Sequence, residues 1–258
     1  MAIYIGLTKE SRDAGRERLR KLLKIAGSVF FIACLVPLLI WTLFRFSILH
    51  SAPVFSLDIQ QPVAKVMTQQ ATGTAFLVSP TKLLTARHVL DGLKAGDKVQ
   101  LLFDRASDAK TVTATVLYIA PQGHGQAPAG SKVTLDYFLD DVAVLQVPAI
   151  DDIQPLELGA SDIVSPMDDV ILIGYPGGDY SITKGSINSD KFGDLDLFKL
   201  DAAANPGNSG GPCLLKEDHS VIGILVGGGG AGMQGENVAV KINQVKDILK
   251  KKGIDLAK

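Results

Sequence analysis

Cysteine is scarce: two residues in a chain of 258, Cys34 and Cys213. That excludes a disulfide framework, and two cysteines without patterned spacing do not suggest zinc. Net charge is −1, so no overall basic character points to nucleic acid. A glycine run, Gly227 to Gly230, occurs without the GK[ST] ending of a phosphate-binding loop. No solenoid-type repeat is present. No motif calls for a metal or a cofactor, and none is expected. What is plentiful is apolar residues, 47%, and glycine, 26 residues. That composition excludes a mostly disordered chain and suits a fold of short strands and tight turns.

The N-terminus differs from the rest. Residues 1–24 form a basic tail in which Lys9, Arg12, Arg16, Arg18, Arg20, Lys21 and Lys24 outnumber Glu10, Asp13 and Glu17. Residues 25–44, IAGSVFFIACLVPLLIWTLF, carry no charge. About twenty mostly apolar residues in a helix match the hydrocarbon core of a bilayer. Trp41 and Arg45 fall where an interface would lie, and the positive-inside rule puts the tail in the cytoplasm. A transmembrane signal anchor over 25–45 is expected, with Cys34 packed inside it. A cleaved signal peptide shares the basic start. The apolar run is long for one, however, and the nearest small-residue site, His50-Ser51-Ala52, is followed by Pro53. Residues 46–60 read as a linker.

From residue 61 the pattern is β. Apolar or alternating runs lie at 72–80, 83–90, 98–103, 111–119, 137–147, 170–174, 181–188, 195–200, 221–226 and 237–242. Turn signals separate them, which argues for an all-β sandwich or barrel. Residues 120–132 are loop by composition. Ile242, Val245, Ile248 and Leu249 share one face of a closing helix over 242–252.

The chemistry centres on Asp201-Ala202-Ala203-Ala204-Asn205-Pro206-Gly207-Asn208-Ser209-Gly210-Gly211-Pro212. This stretch holds one hydroxyl in a glycine-bounded turn. The N–H groups of Gly207 and Ser209 could converge beside the Ser209 oxygen, as in an oxyanion hole. A serine needs a base and an orienting acid. Of His50, His88, His124 and His219, only His88 follows a strand and opens a helical turn. Asp140 and Asp141 interrupt an apolar strand, and alternation puts them on opposite faces, one buried and one solvated. Each block also has an ordinary reading: a surface turn, a capping histidine, two solvated acids.

The three blocks TARHV, DVAVL and DAAANPGNSGGP, in that order, resemble the trypsin-like serine peptidases, most closely their bacterial HtrA-type branch. GYPGG followed by ITKGSIN, then VIGILVGG and NVAVKINQVKDIL, extend the likeness over about residues 65–250. The resemblance implies two six-stranded antiparallel β-barrels with the site between them, the first over about 61–150 and the second over about 155–242. It implies that His88 and Asp141 come from the first barrel and Ser209 from the second. Ser209 is then nucleophile, His88 general base and Asp141 the acid that orients it. Gly207 and Ser209 form the oxyanion hole, Ala203 the floor of the primary pocket, and Val226, Gly227 and Gly228 a backbone edge for substrate.

Departures from the family narrow these expectations. Asn208 replaces the aspartate that pairs with a newly cut N-terminus in digestive members, so zymogen cleavage is not expected. Cys213 has no partner in the domain. A PDZ domain, usual in the HtrA-type branch, is not expected here. The neutral Ala203 argues against cleavage after Lys or Arg. The whole reads as a membrane-anchored serine endopeptidase of envelope proteins. It acts on protein or peptide substrates, touches the membrane through its N-terminal helix, binds no nucleic acid and could form homo-oligomers. The rival is a catalytically silent binding module of the same fold.

Overall fold

The computed structural model describes residues 17–24, 35–36, 57–68, 72–122, 138–228 and 236–256. The chain divides into two units, Met1–Phe55 and Ser56–Lys258. In the first, residues 17–24 and 35–36 are helical. Among the described residues no helix is long and apolar enough to cross a membrane. The expected anchor over 25–45 lies outside the described residues apart from 35 and 36.

The second unit holds two closed antiparallel barrels of six strands each. The first comprises β1 (Val63–Met67), β2 (Thr72–Ser79), β3 (Lys82–Thr85), β4 (Lys98–Phe103), β5 (Lys110–Ile119) and β6 (Ala143–Gln146), in the order β1-β2-β3-β6-β5-β4. The second comprises β7 (Asp169–Gly174), β8 (Ser181–Ser189), β9 (Leu197–Leu200), β10 (Pro212–Leu215), β11 (Val221–Gly228) and β12 (Asn237–Lys241), in the order β10-β11-β12-β9-β8-β7. Closure removes the free edges an open sheet would leave.

Alternation fills the barrels. In β4, Val99, Leu101 and Phe103 are buried, while Lys98 and Gln100 face solvent. Phe76, Leu83 and Leu145 are also fully buried in the first barrel. Leu172, Phe198, Leu200, Cys213 and Ile222 belong to the core of the second. Burial pushes the Cys213 thiol up to about 12, so this cysteine is a small apolar filler. The closing helix, Ile242–Lys251, buries Ile242, Val245 and Leu249 and leaves Ile248 half-buried.

Three local expectations change. Leu57–Gln60 is a short helix with Ile59 and Gln60 buried, so the last part of the expected linker is packed structure. Strand β6 begins at Ala143, well after residue 137. Strand β10 follows the serine turn directly, where Pro212 and two glycines hide its β character.

Thr74 of β2 links the barrels. Its Oγ1 donates to the Gly207 carbonyl at 2.7 Å and accepts the Tyr175 N–H at 3.1 Å. Its own N–H donates to the Ser209 carbonyl at 2.9 Å. Thr74→Val keeps the shape but strands a buried carbonyl and a buried N–H. The expected loss is about 1–3 kcal/mol of stability, measured by chemical unfolding of the full chain. A loss below about 0.5 kcal/mol would show that the Thr74 hydroxyl matters little to barrel docking.

Candidate active site

Strand β3 leads into the site. After Thr85, Ala86 stays extended and a 3₁₀ turn, Arg87–Leu90, follows. Val89 and Leu90 are buried and anchor that turn. With Ala86, Arg87, Val89 and Leu90 buried around it, His88 is the residue of the turn presented at the surface of the barrel, its side chain 22% exposed.

Asp141 meets it. This carboxylate is fully buried, and both its oxygens are engaged by the same residue. Oδ1 accepts the His88 backbone N–H at 3.0 Å, and Oδ2 lies 2.6 Å from His88 Nδ1. An ionised carboxylate only accepts, so a proton on Nδ1 is what satisfies this contact. Oδ1 also lies 3.8 Å from Nε of Arg87, whose side chain is 6% exposed. Phe138 stands edge-on to the His88 ring at 6.2 Å.

The two acids are told apart by a turn, not by strand alternation. Asp140 has a φ of 59°, and its carbonyl accepts the Val142 N–H at 2.8 Å. Both acids precede β6, so the expected opposite faces of a strand do not apply. The tight turn buries Asp141 and leaves Asp140 half-exposed. Asp140 and Tyr118 line one cavity, and the Tyr118 hydroxyl is pushed up by burial and by the Asp140 charge.

The serine turn is built by hydrogen bonds within itself and to its neighbours. Asn208 N–H donates to Asn205 O at 3.0 Å, and Gly211 N–H to Asn208 O at 2.9 Å. Gly207 has a φ of 108°, and a Cβ there would collide with the Tyr175 carbonyl. Gly210 has a φ of 84°, and a Cβ there would press into the Thr74 carbonyl and Thr85 Oγ1 and reach 2.9 Å from the Ala86 nitrogen. The turn therefore abuts the strand end that carries His88, two residues before it. Gly210 N–H donates to Leu225 O at 2.7 Å and Leu225 N–H to Gly211 O at 3.0 Å, tying the turn to β11.

The peptide ahead of Gly207 is oriented by a third segment. Gly177 N–H donates to the Pro206 carbonyl at 2.9 Å. No peptide bond is cis, so the Gly207 N–H points opposite to that carbonyl. Among the described residues neither the Gly207 nor the Ser209 N–H meets an acceptor. Asn208 is 4% exposed, buried next to Gly174.

The specificity residues are more scattered. Ala203 is exposed, not sunk in an enclosed pocket, and its carbonyl accepts Thr183 Oγ1 at 2.7 Å. Buried Ala202 is the residue that joins the core. Val226 is buried at a bulge between Leu225 and Gly227, and Gly227 and Gly228 pair with β12 on one side. Phe138 packs onto Gly227, where a Cβ would meet its ring at 2.7 Å. His219 sits in the β10–β11 hairpin at a φ of 63°. His50 and His124 lie outside the described residues. Among the described residues, no three His, Cys, Asp or Glu side chains cluster as metal ligands.

Sequence reasoning missed Arg87, Thr74, Gly177 and Phe138. Arg87 carries a readable signal: a cation between apolar residues where a buried turn is expected. Phe138 stands in the run before Asp141, but nothing local says that it reaches both His88 and Gly227. Thr74 looks like any strand threonine, and Gly177 like any turn glycine.

The model of the trypsin-like peptidase domain matches residues 73–224. Protease Do-like 2, chloroplastic, of Arabidopsis thaliana is 33% identical over 175 residues, which is 63% of this chain and 24% of that protein. A probable periplasmic serine endoprotease, DegP-like, of Hahella chejuensis is 31% identical over 191 residues, 70% of this chain and 35% of that protein. The chain thus spans only about a quarter to a third of the length of these relatives. Among solved structures, the HtrA-type protease AlgW with a tripeptide superposes with a TM-score of 0.59 at 24% identity, over 77% of this chain and 65% of that one. The Rv3671c protein of M. tuberculosis H37Rv, an inactive serine-to-alanine form, gives 0.59 at 24% identity, over 79% and 91%. With a family model covering more than half its length and two closed barrels to match, this chain belongs to the trypsin-like peptidase domain family.

Proposed function

We propose that this chain is a serine endopeptidase in which Ser209 attacks a peptide carbonyl and His88 takes its proton. His88 later returns that proton to the leaving amine, while Asp141 holds the ring in the Nδ1–H tautomer and stabilises the imidazolium. The oxyanion sits between the N–H groups of Gly207 and Ser209. The observation that carries this reading is the paired grip of His88 on a fully buried carboxylate, through its backbone N–H at 3.0 Å and its ring at 2.6 Å. A buried carboxylate is costly unless it is met by donors, and here the donors orient a histidine. The uncommitted amides of Gly207 and Ser209 support the same reading. A silent binding module has no use for either feature.

The substrate is an extended protein or peptide segment that pairs with the backbone of Val226 to Gly228. Residues before the cut are small to medium and apolar, because Ala203 offers a cation no partner. The tripeptide on AlgW supports peptide as the ligand class. Residues 1–24 lie in the cytoplasm and 25–45 span the membrane. The 46–60 segment leads to a catalytic unit over 61–258, periplasmic or extracellular, that processes envelope proteins. Relatives named as periplasmic serine endoproteases support that side of the membrane. The membrane fraction is therefore expected to keep the full chain through carbonate washing; release by carbonate would count against the anchor.

A fluorophosphonate probe is expected to label wild-type protein and not Ser209→Ala. Absence of labelling in the wild type under all conditions would favour the binding module. Asp141→Asn is expected to lower the labelling rate by about three to four orders of magnitude, and Asp140→Asn by less than about threefold. Equal losses would assign the acid wrongly. Among peptide substrates, Ala, Val or Leu before the cut should exceed Lys or Arg by at least about tenfold in kcat/KM. The reverse order would show that an acid from elsewhere in the chain reaches the pocket.

A further inference from the structure

A buried cation adjoins the candidate triad and is not used by the chemistry above. Arg87 precedes His88, and its side chain is only 6% exposed. Its Nε lies 3.8 Å from Oδ1 of Asp141, the oxygen that also accepts the His88 N–H. Its NH1 lies 3.6 Å from Oδ1 of Asp91, whose side chain is 58% exposed. A guanidinium stays charged at any pH a protein survives. Asp141 therefore has a permanent counter-charge whether or not His88 is protonated.

We propose that Arg87 is a positioning residue that keeps Asp141 ionised and turned to His88 while opposing the charging of His88 itself, so that activity persists into more acidic conditions. This rests on reading Ser209, His88 and Asp141 as the catalytic set. The sign follows from Coulomb's law. A fixed positive charge behind Asp141 makes a second positive charge on the neighbouring ring less favourable, and burial weakens the screening that would hide it. The resting site then loses its base to protonation only at lower pH. Among the described residues, the other charged and titratable groups placed near His88 do not cancel this. Arg87 pairs with Asp141 and Asp91, Ser209 is a neutral hydroxyl, and Asp140 lines a cavity with Tyr118.

The test is the pH dependence of fluorophosphonate labelling of Ser209 in the full chain. Arg87→Met and Arg87→Gln remove the charge and keep most of the side-chain volume. Each is expected to move the pH of half-maximal labelling rate up by about one unit. Arg87→Lys is expected to stay within about 0.3 units of the wild type. A purely structural role would lower the plateau rate and leave the acid limb in place, and that result overturns the proposal. Asp91→Asn changes an exposed side chain and unmasks the Arg87 charge, so its limb should move down by a few tenths of a unit. If the neutral Arg87 variants do not fold, an unmoved or raised limb in Asp91→Asn overturns the proposal on its own. Wild type that never labels defeats the catalytic reading; wild type that labels, with variants that share its limb, defeats the inference alone.

Discussion

The contact on which the rest depends is the seam where the serine turn of the second barrel rests on β2 and β3 of the first. Neither barrel holds the whole of the proposed set. His88 and Asp141 belong to one and Ser209 to the other, so the proposed chemistry requires the seam to be registered to within about 0.5 Å. Three hydrogen bonds to Thr74 and the close approach of Gly210 to Thr85 and Ala86 supply that registration. All are backbone contacts on at least one side, which side-chain motion cannot relax. Barrel interiors are close-packed and rigid, so a seam fixed at the backbone is transmitted to the side chains it carries.

A second constraint is electrostatic. Asp141 is fully buried, and an isolated carboxylate there would be neutralised or turned outward. The fold meets this cost with two donors that are themselves useful, the His88 main chain and the His88 ring, and with the charge of the Arg87 guanidinium at 3.8 Å. The first two hold His88 at its main chain and at its ring, which a single hydrogen bond could not do. The proposed chemistry would therefore use the same interactions that stabilise the buried carboxylate. The Cys213 thiol shows the opposite case, since it is equally buried without any such partner and stays protonated.

Much of the fold was legible because its cause is local. Strand β4 shows its alternation over Lys98 to Phe103, and the closing helix shows its apolar face at Ile242, Val245 and Leu249. The family likeness of the blocks around His88, Asp141 and Ser209 added the barrel count, which periodicity alone left open between sandwich and barrel. What stayed hidden is set by contacts distant in sequence. Strand β10 earns its place by pairing with β7 and β11, although Pro212 and its glycine neighbours read as turn. The left-handed Asp140 could not be foreseen, since an aspartate next to an apolar run looks like the start of a strand. Ala203 is reached by its count of six before Ser209, and a count carries no information on its exposure, which depends on how the turn packs.

In the proposed mechanism, the orientation of the peptide between Pro206 and Gly207 decides whether the two amides can act together. If that peptide turned over, the carbonyl would occupy the place of the Gly207 N–H and repel an oxyanion. Gly177 prevents this by holding the Pro206 carbonyl at 2.9 Å. Gly177 in turn belongs to the loop from Tyr175 to Tyr180, and that loop is fastened to the first barrel. Lys65 donates to the Gly178 carbonyl at 2.9 Å, the Tyr175 hydroxyl to Asp104 at 2.5 Å and the Tyr180 hydroxyl to Gln60 at 3.1 Å. Arg105 lies over the Tyr180 ring at 4.7 Å. Burial, with the Asp104 carboxylate second, drives the Tyr175 hydroxyl well above its ordinary value, so it stays a donor at any working pH. The amide geometry beside Ser209 is thus not a property of the serine turn alone. It is set by a loop that spans both barrels, and its last fastening, Gln60, lies in the short helix where the chain enters the catalytic unit.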